Sequence, residues 1–159
     1  MIPKLVGLAN SPWDVLPPGV HVATFDEVAG AYSYNPKRRR LYDGLLDASV
    51  LLIQAGCGTI LLDGSYVTAK QVPGDFDACW VPDGMDLGKL DAVFSDFANG
   101  RANQKARFGG EFFPSTMIAA DLGVSFPEFF QTDRFTGIRK GILSISLTAD
   151  TAVARRIRK

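Results

Sequence analysis

The sequence predicts an α+β fold, a small mixed β-sheet with helices packed mainly on one face. Short apolar runs of strand length, near 59–62, 76–81, 108–113 and 142–147, are interspersed with stretches in which apolar residues recur at helical spacing. A chain of 159 residues, 47% hydrophobic and 21% charged, fits one compact domain with an adequate core and leaves no room for a second. The expected organisation is an irregular N-terminal arm over 1–23, a folded domain over 24–150 and a basic tail over 151–159.

Pro3, Pro12, Pro17 and Pro18, with several glycines, make the arm irregular, anchored by Trp13 and Leu16. His21 reads as a structural position. Thr24-Phe25-Asp26-Glu27 has capping-box spacing and starts a short helix through Ser33. Asn35-Pro36 opens the clearest helix, with Asn as cap and Pro in the first turn. Leu41, Leu45, Ala48 and Leu52 form its apolar stripe, and Gly56 and Gly58 stop it. Lys37-Arg38-Arg39-Arg40 opposes the helix dipole, so these cations are not there for helix stability. They read either as a contact for phosphates or as a solvated face.

The first strand is expected at Thr59–Leu62 and the second at Phe76–Val81. Leu87, Leu90, Val93, Phe94 and Phe97 predict a helix behind the sheet, closed by Asn99-Gly100. Arg101 to Arg107 reads as an exposed loop or the wall of a cleft. A third strand at Phe108–Phe113 is followed by Pro114. Ser125-Phe126-Pro127-Glu128 repeats the capping-box spacing and begins a short helix whose Phe129 and Phe130 read as core rather than a stacking platform. Gly137 to Gly141 turns into the last strand, Ile142–Leu147, with Arg139 and Lys140 at its mouth. The tail reads as frayed or lightly helical.

Lys+Arg and Asp+Glu both total 17, so no global field attracts nucleic acid, and a polynucleotide substrate needs a local basic patch. Cys57 and Cys79 are too few for a disulfide framework or a zinc site. No run of about 18 apolar residues exists, so a soluble, cytoplasmic protein with no membrane contact is expected.

The stretch from Leu61 to Trp80 carries the chemistry. Gly64-Ser65 breaks an apolar strand where backbone amides could face a ligand, and nine residues later Asp75 and Asp77 bracket Phe76. In an extended chain the side-chain period is two, so both carboxylates share one face and Phe76 takes the other. Two carboxylates side by side repel, and a divalent cation between them relieves this; hard oxygen ligands suit Mg²⁺ or Mn²⁺. The competing reading is a turn and strand start whose acids cap backbone amides.

Gly-Ser, this spacer, then Asp-x-Asp resembles the signature of the DNA polymerase β-type nucleotidyltransferase superfamily in its minimal single-domain form. Leu-Pro-Pro-Gly-Val-His (16–21), Asp-Gly-Ser-Tyr-Val-Thr (63–68), Pro-Gly-Asp-Phe-Asp (73–77) and Arg-Lys-Gly-Ile (139–142) resemble more narrowly a nucleotidyltransferase-like family of bacterial and phage genomes. The resemblance implies a nucleotidyltransferase-like sheet, a phosphate-binding Gly64 and Ser65, and metal-binding Asp75 and Asp77. It also implies a third acid, for which Glu111 is preferred and Asp121 is the rival, because apolar neighbours on both sides of Glu111 suit a central strand. Two cations about 3.5–4 Å apart would then serve the incoming and departing oxygens of an in-line displacement. The superfamily's usual loop after Gly-Ser carries a small residue and Arg-Gly; here it reads Tyr66 to Gln71, where Lys70 supplies a cation without arginine's fork. Lys140 is the second cation expected to meet a triphosphate or its leaving pyrophosphate.

The expected activity moves a nucleoside monophosphate from a nucleoside triphosphate (NTP) to a hydroxyl on protein, RNA or a small molecule, with Mg²⁺ or Mn²⁺. The resemblance carries a toxin–antitoxin or phage-defence setting and a partner protein as implications. The alternatives are a non-catalytic nucleotide-binding or regulatory module of the same fold, and a structural phage protein with a fortuitous motif. Asp63 reads as a loop-orienting acid or a surface one.

Overall fold

The computed structural model describes residues 1–120 and 122–159, so Asp121, the rival third acid, lies outside the described residues. The fold is mixed α+β, built on a five-stranded sheet. Its strands are β1 (Gly19–Val22), β2 (Thr59–Asp63), β3 (Phe76–Trp80), β4 (Gly110–Pro114) and, late in the chain, β7 (Gly141–Ser146). They lie in the order β1-β7-β2-β3-β4. The β1–β7 and β3–β4 pairs are parallel and the two central pairs antiparallel. A two-stranded ribbon, β5 (Ile118–Ala119) with β6 (Val124–Ser125), stands apart from the sheet.

Strand alternation sends Ile60, Leu62, Phe76, Ala78, Phe112, Leu143 and Ile145 into the larger core. Helices α1 (Phe25–Tyr32) and α2 (Pro36–Gln54) close that face, joined by α5 (Thr151–Ile157). The capping box forms as expected: Thr24 Oγ1 accepts from the Glu27 amide at 3.1 Å, and Glu27 Oε2 from the Thr24 amide at 2.8 Å. Asn35 caps α2, and its stripe of Leu41, Leu45, Ala48 and Leu52 is buried. Gly44 lets α2 approach the next helix, since a β-carbon there would fall 1.8 Å from the Phe108 carbonyl oxygen. The opposite face carries a smaller cluster of Cys79, Phe113, Phe130 and Ile142, with Phe130 supplied by α4 (Phe126–Phe130).

Four expectations are corrected. The predicted helix over 87–97 is instead two 3₁₀ turns, Leu87–Lys89 and Ala92–Ser95, because Asp86 and Asp91 each cap a new backbone start, at the Gly88 and Val93 amides. The basic run expected as a loop is the helix α3 (Ala98–Phe108). Its first residues, Asn99, Gly100 and Arg101, have φ of 53°, 65° and 64°, so right-handed helix starts only after them. Phe108 therefore ends a helix, and β4 starts at Gly110. The arm contributes the edge strand β1. The last residues form α5, capped by Asp150, with Ala152 and Val153 buried and Arg156 paired to Asp43 and Asp47. Among the described residues, no helix is long and apolar enough to cross a membrane.

Candidate functional site

The sheet register builds the site. Asp63 on β2 pairs with Asp77 on β3, and Asp77 with Glu111 on β4, so three acids form one row across adjacent strands. Alternation turns this row away from α1, α2 and α5, since Leu62, Phe76, Ala78 and Phe112 occupy the core on that side. Asp75, two residues before Asp77, joins from the strand's entry. One carboxylate oxygen each from Asp75, Asp77 and Glu111 lies within 4.8 Å of the others. The strand bearing Glu111 is the sheet's edge and not its centre, which corrects the reason for choosing it.

Gly64 is held against this cluster. Its φ of 91° is the left-handed region that glycine tolerates, and a β-carbon there would fall 3.0 Å from the Asp77 amide nitrogen and 3.1 Å from Asp77 Oδ2. Ser65 begins a 3₁₀ turn, Ser65–Val67, and Gly64, Ser65, Asp75 and Asp77 line the same cavity of about 420 Å³. The aspartates and the Gly-Ser bend thus lie on one side of the sheet.

The loop after the bend is fixed by Arg38. Its guanidinium, with no solvent exposure, donates to the carbonyl oxygens of Tyr32 (3.3 Å), Tyr66 (2.6 Å), Thr68 (2.8 Å) and Lys70 (2.5 Å). Tyr32, Tyr34 and Tyr66 surround it with ring faces. Neither expected reading of the four-cation run applies to Arg38, whereas Arg39 and Arg40 are exposed. One signal was legible: Arg38 stands three residues before Leu41, on the apolar stripe of α2.

The remaining charges are unevenly compensated. Lys140, expected at a triphosphate, lines the cavity but makes a buried ion pair with Asp63, which is therefore not a surface acid. Glu111 accepts from Lys105 Nζ at 2.8 Å and Arg101 Nη2 at 3.3 Å, and it does not line the cavity. Among the described residues, Asp75 and Asp77 make no ion pair of this kind. Burial, then the charge of Glu111, raises the Asp75 carboxyl above its ordinary range. Burial, followed by the charges of Asp63, Asp75 and Glu111, raises Asp77 further. Asp63 is raised by burial too, against the pull of Lys140.

An all-oxygen donor set with two acids short of positive charge fits a divalent cation. Two Mg–O bonds of about 2.1 Å span at most about 4.2 Å. Oxygens that all lie within 4.8 Å of one another need to close by no more than about 0.6 Å to meet that span, which rotamer adjustment provides.

Other placements follow the sequence. His21 Nε2 bonds the Pro17 carbonyl oxygen at 2.7 Å, a structural role. Arg139 pairs with exposed Glu128. Phe130 is core as expected, whereas Phe129 is 37% exposed and lines the cavity. Sequence reasoning missed the far wall, where Trp13 meets Phe135 edge to face at 5.5 Å and Lys70 Nζ lies 4.9 Å from the Trp13 ring centre.

A family model described as a family of unknown function (DUF6932) matches residues 10–146, most of the chain. The chain belongs to this family. The DUF6932 span runs from Asn10, before the cavity's Trp13, to the end of β7, so every residue of the site lies inside it, while α5 lies beyond. No curated protein and no solved structure matches the chain.

Proposed function

We propose that this DUF6932 protein is a metal-dependent nucleotidyltransferase that moves a nucleoside monophosphate from an NTP to a hydroxyl acceptor. One observation carries the reading: the oxygens of Asp75, Asp77 and Glu111 come together within 4.8 Å, and the two aspartates line, with the Gly64-Ser65 bend, a cavity large enough for a small ligand. Asp75, Asp77 and Glu111 would hold Mg²⁺ or Mn²⁺. The bound ions would supply the positive charge that a triphosphate and its leaving pyrophosphate require.

The chain's own groups do the rest. Gly64 keeps the bend free of a side chain, so phosphate oxygens approach its backbone closely, and Ser65 offers a hydroxyl at the cavity wall. Arg38 holds the carbonyls of the following loop inward, which fixes the bend before ligand arrives. Lys70 and Arg134, both lining the cavity, bring positive charge near Asp75. Lys140 acts through Asp63, keeping a fourth carboxylate neutralised beside Asp77.

The test incubates the protein with α-³²P-labelled nucleoside triphosphates, Mn²⁺ or Mg²⁺, and bacterial proteins or tRNA as acceptors. Transfer of label that vanishes in Asp75→Ala and Asp77→Ala supports the activity; transfer that survives both refutes it.

A second reading, a nucleotide-binding or regulatory module without chemistry, is favoured by one fact: Glu111 is already engaged by Lys105 and Arg101. It predicts nucleotide binding without label transfer.

A further inference from the structure

The cavity has two chemically different ends. Acids and the glycine bend make one. The other is aromatic, built from Trp13 of the arm, Phe129 and Phe130 of α4, and Phe135 of the loop that precedes β7. Two cations stand between the ends. Lys70 rests against the Trp13 ring at 4.9 Å and Arg134 against the Phe135 ring at 4.8 Å, while the positive charge of both is felt at Asp75.

Of these four rings only Phe130 is core. Phe135 is 45% exposed and Phe129 37%, and Trp13 is only partly buried, so three large rings face a concave space instead of closing it. Rings kept open at a cavity wall, with cations on their faces, form a stacking surface for a flat, electron-rich group. The polar end, the cations and the rings succeed one another in the order of triphosphate and base in an extended NTP.

We infer that Trp13 is the platform on which the nucleobase of the NTP stacks, with the perpendicular Phe135 ring as its side wall, and that Lys70 leaves the Trp13 face for the phosphates as the base arrives. The inference rests on the nucleotidyltransferase reading and adds the residues that receive the base. Stacking is sequence-tolerant because every base has a π-face, so this platform favours larger purine rings modestly without selecting one base sharply. The arm is thereby part of the substrate site, and Lys70 is a positioning cation that trades one partner for another.

Isothermal titration calorimetry with MnCl₂ tests this with three probes, ATP, CTP and inorganic triphosphate, on wild type, Trp13→Ala and Trp13→Phe. The expected result is ATP and CTP binding weakened about tenfold or more in Trp13→Ala and largely restored in Trp13→Phe, with inorganic triphosphate affinity held within about twofold. In a Trp80→Phe background, where Trp13 is the sole indole, ATP quenches its fluorescence and inorganic triphosphate does not. Circular dichroism and thermal melting establish that the variants are folded. Equal loss for triphosphate and nucleotides in Trp13→Ala, or no loss for either, overturns the platform while leaving nucleotide binding standing. Absence of binding by all three probes to wild type overturns the nucleotidyltransferase reading together with the platform.

Discussion

Replacing Asp77 with asparagine should make the metal-free protein more stable and should abolish its response to divalent cations. The first effect comes from like charge. At the 4.8 Å limit separating the ligand oxygens, one carboxylate pair repels by 332/(20 × 4.8), about 3.5 kcal/mol at an effective dielectric constant of about 20. Asp75 is the neighbour without a counterion, because Lys105 and Arg101 balance Glu111 and Lys140 balances Asp63. The full value is not recovered, since Asp77 takes up a proton at a cost of about 1.4 kcal/mol per pH unit between solution and its raised pKa. A gain of about 1–3 kcal/mol remains. For a domain of this size each kcal/mol moves the melting temperature by about 2–4 °C, so a rise of several degrees is expected at pH 7.5 in EDTA. Differential scanning fluorimetry with EDTA, MgCl₂ and MnCl₂ reads both effects. Wild type should be stabilised by Mn²⁺ and D77N should not. A D77N protein that melts below wild type in EDTA, or that gains as much from Mn²⁺, would refute the account of Asp77 as an uncompensated cation ligand.

Three further outcomes follow from the same structure. Raised carboxyl pKa values mean that the folded state keeps protons the unfolded chain has released. In EDTA the stability contributed by Asp75 and Asp77 is therefore greatest below about pH 4 and falls as pH climbs through their folded values, while Mn²⁺ stabilisation grows over the same range. Thermal melts from pH 4.5 to 8 check this, and the double variant D75N/D77N should flatten the dependence. Arg38→Met removes the donor shared by four buried or partly buried carbonyls and should cost about 3 kcal/mol or more in urea unfolding, with nucleotide binding lost in whatever folds. Lys140→Met alone leaves Asp63 buried without its partner and should cost about 3–5 kcal/mol, whereas Lys140→Met with Asp63→Asn should cost distinctly less in a double-mutant cycle; additivity of the two would refute the pair as a unit.

How much of this was legible follows from the range of each interaction. α2 was readable because its cap, proline, stripe and terminal glycine are all local, and the acid pair because strand alternation places Asp75 and Asp77 on one face without further information. The segment 87–97 misled because Phe94 buries from a 3₁₀ turn as well as from a helix, and the capping aspartates that restart the backbone outweighed the spacing. The basic helix escaped notice because it has no apolar stripe; its buried residues are Gln104 and Phe108. Gln104 earns its place through hydrogen bonds to Val93 and Phe112. Pairings such as Lys140 with Asp63, or Trp13 with Phe135, join residues far apart in the chain, which no window on the sequence connects.

The position of β7 between β1 and β2 has a consequence for synthesis on the ribosome. Asp63, Asp77 and Glu111 emerge well before Lys140, so a hairpin formed early would hold buried carboxylate without its counterion. The amino-terminal strand likewise waits for a neighbour more than a hundred positions later, Gly19 for Gly141. Closure of the sheet therefore waits for β7, with a long loop to gather, and folding should be slow for a chain of this length. Until that moment the nascent polypeptide carries an acidic, half-built surface whose Asp63 lacks the lysine that neutralises it in the finished sheet.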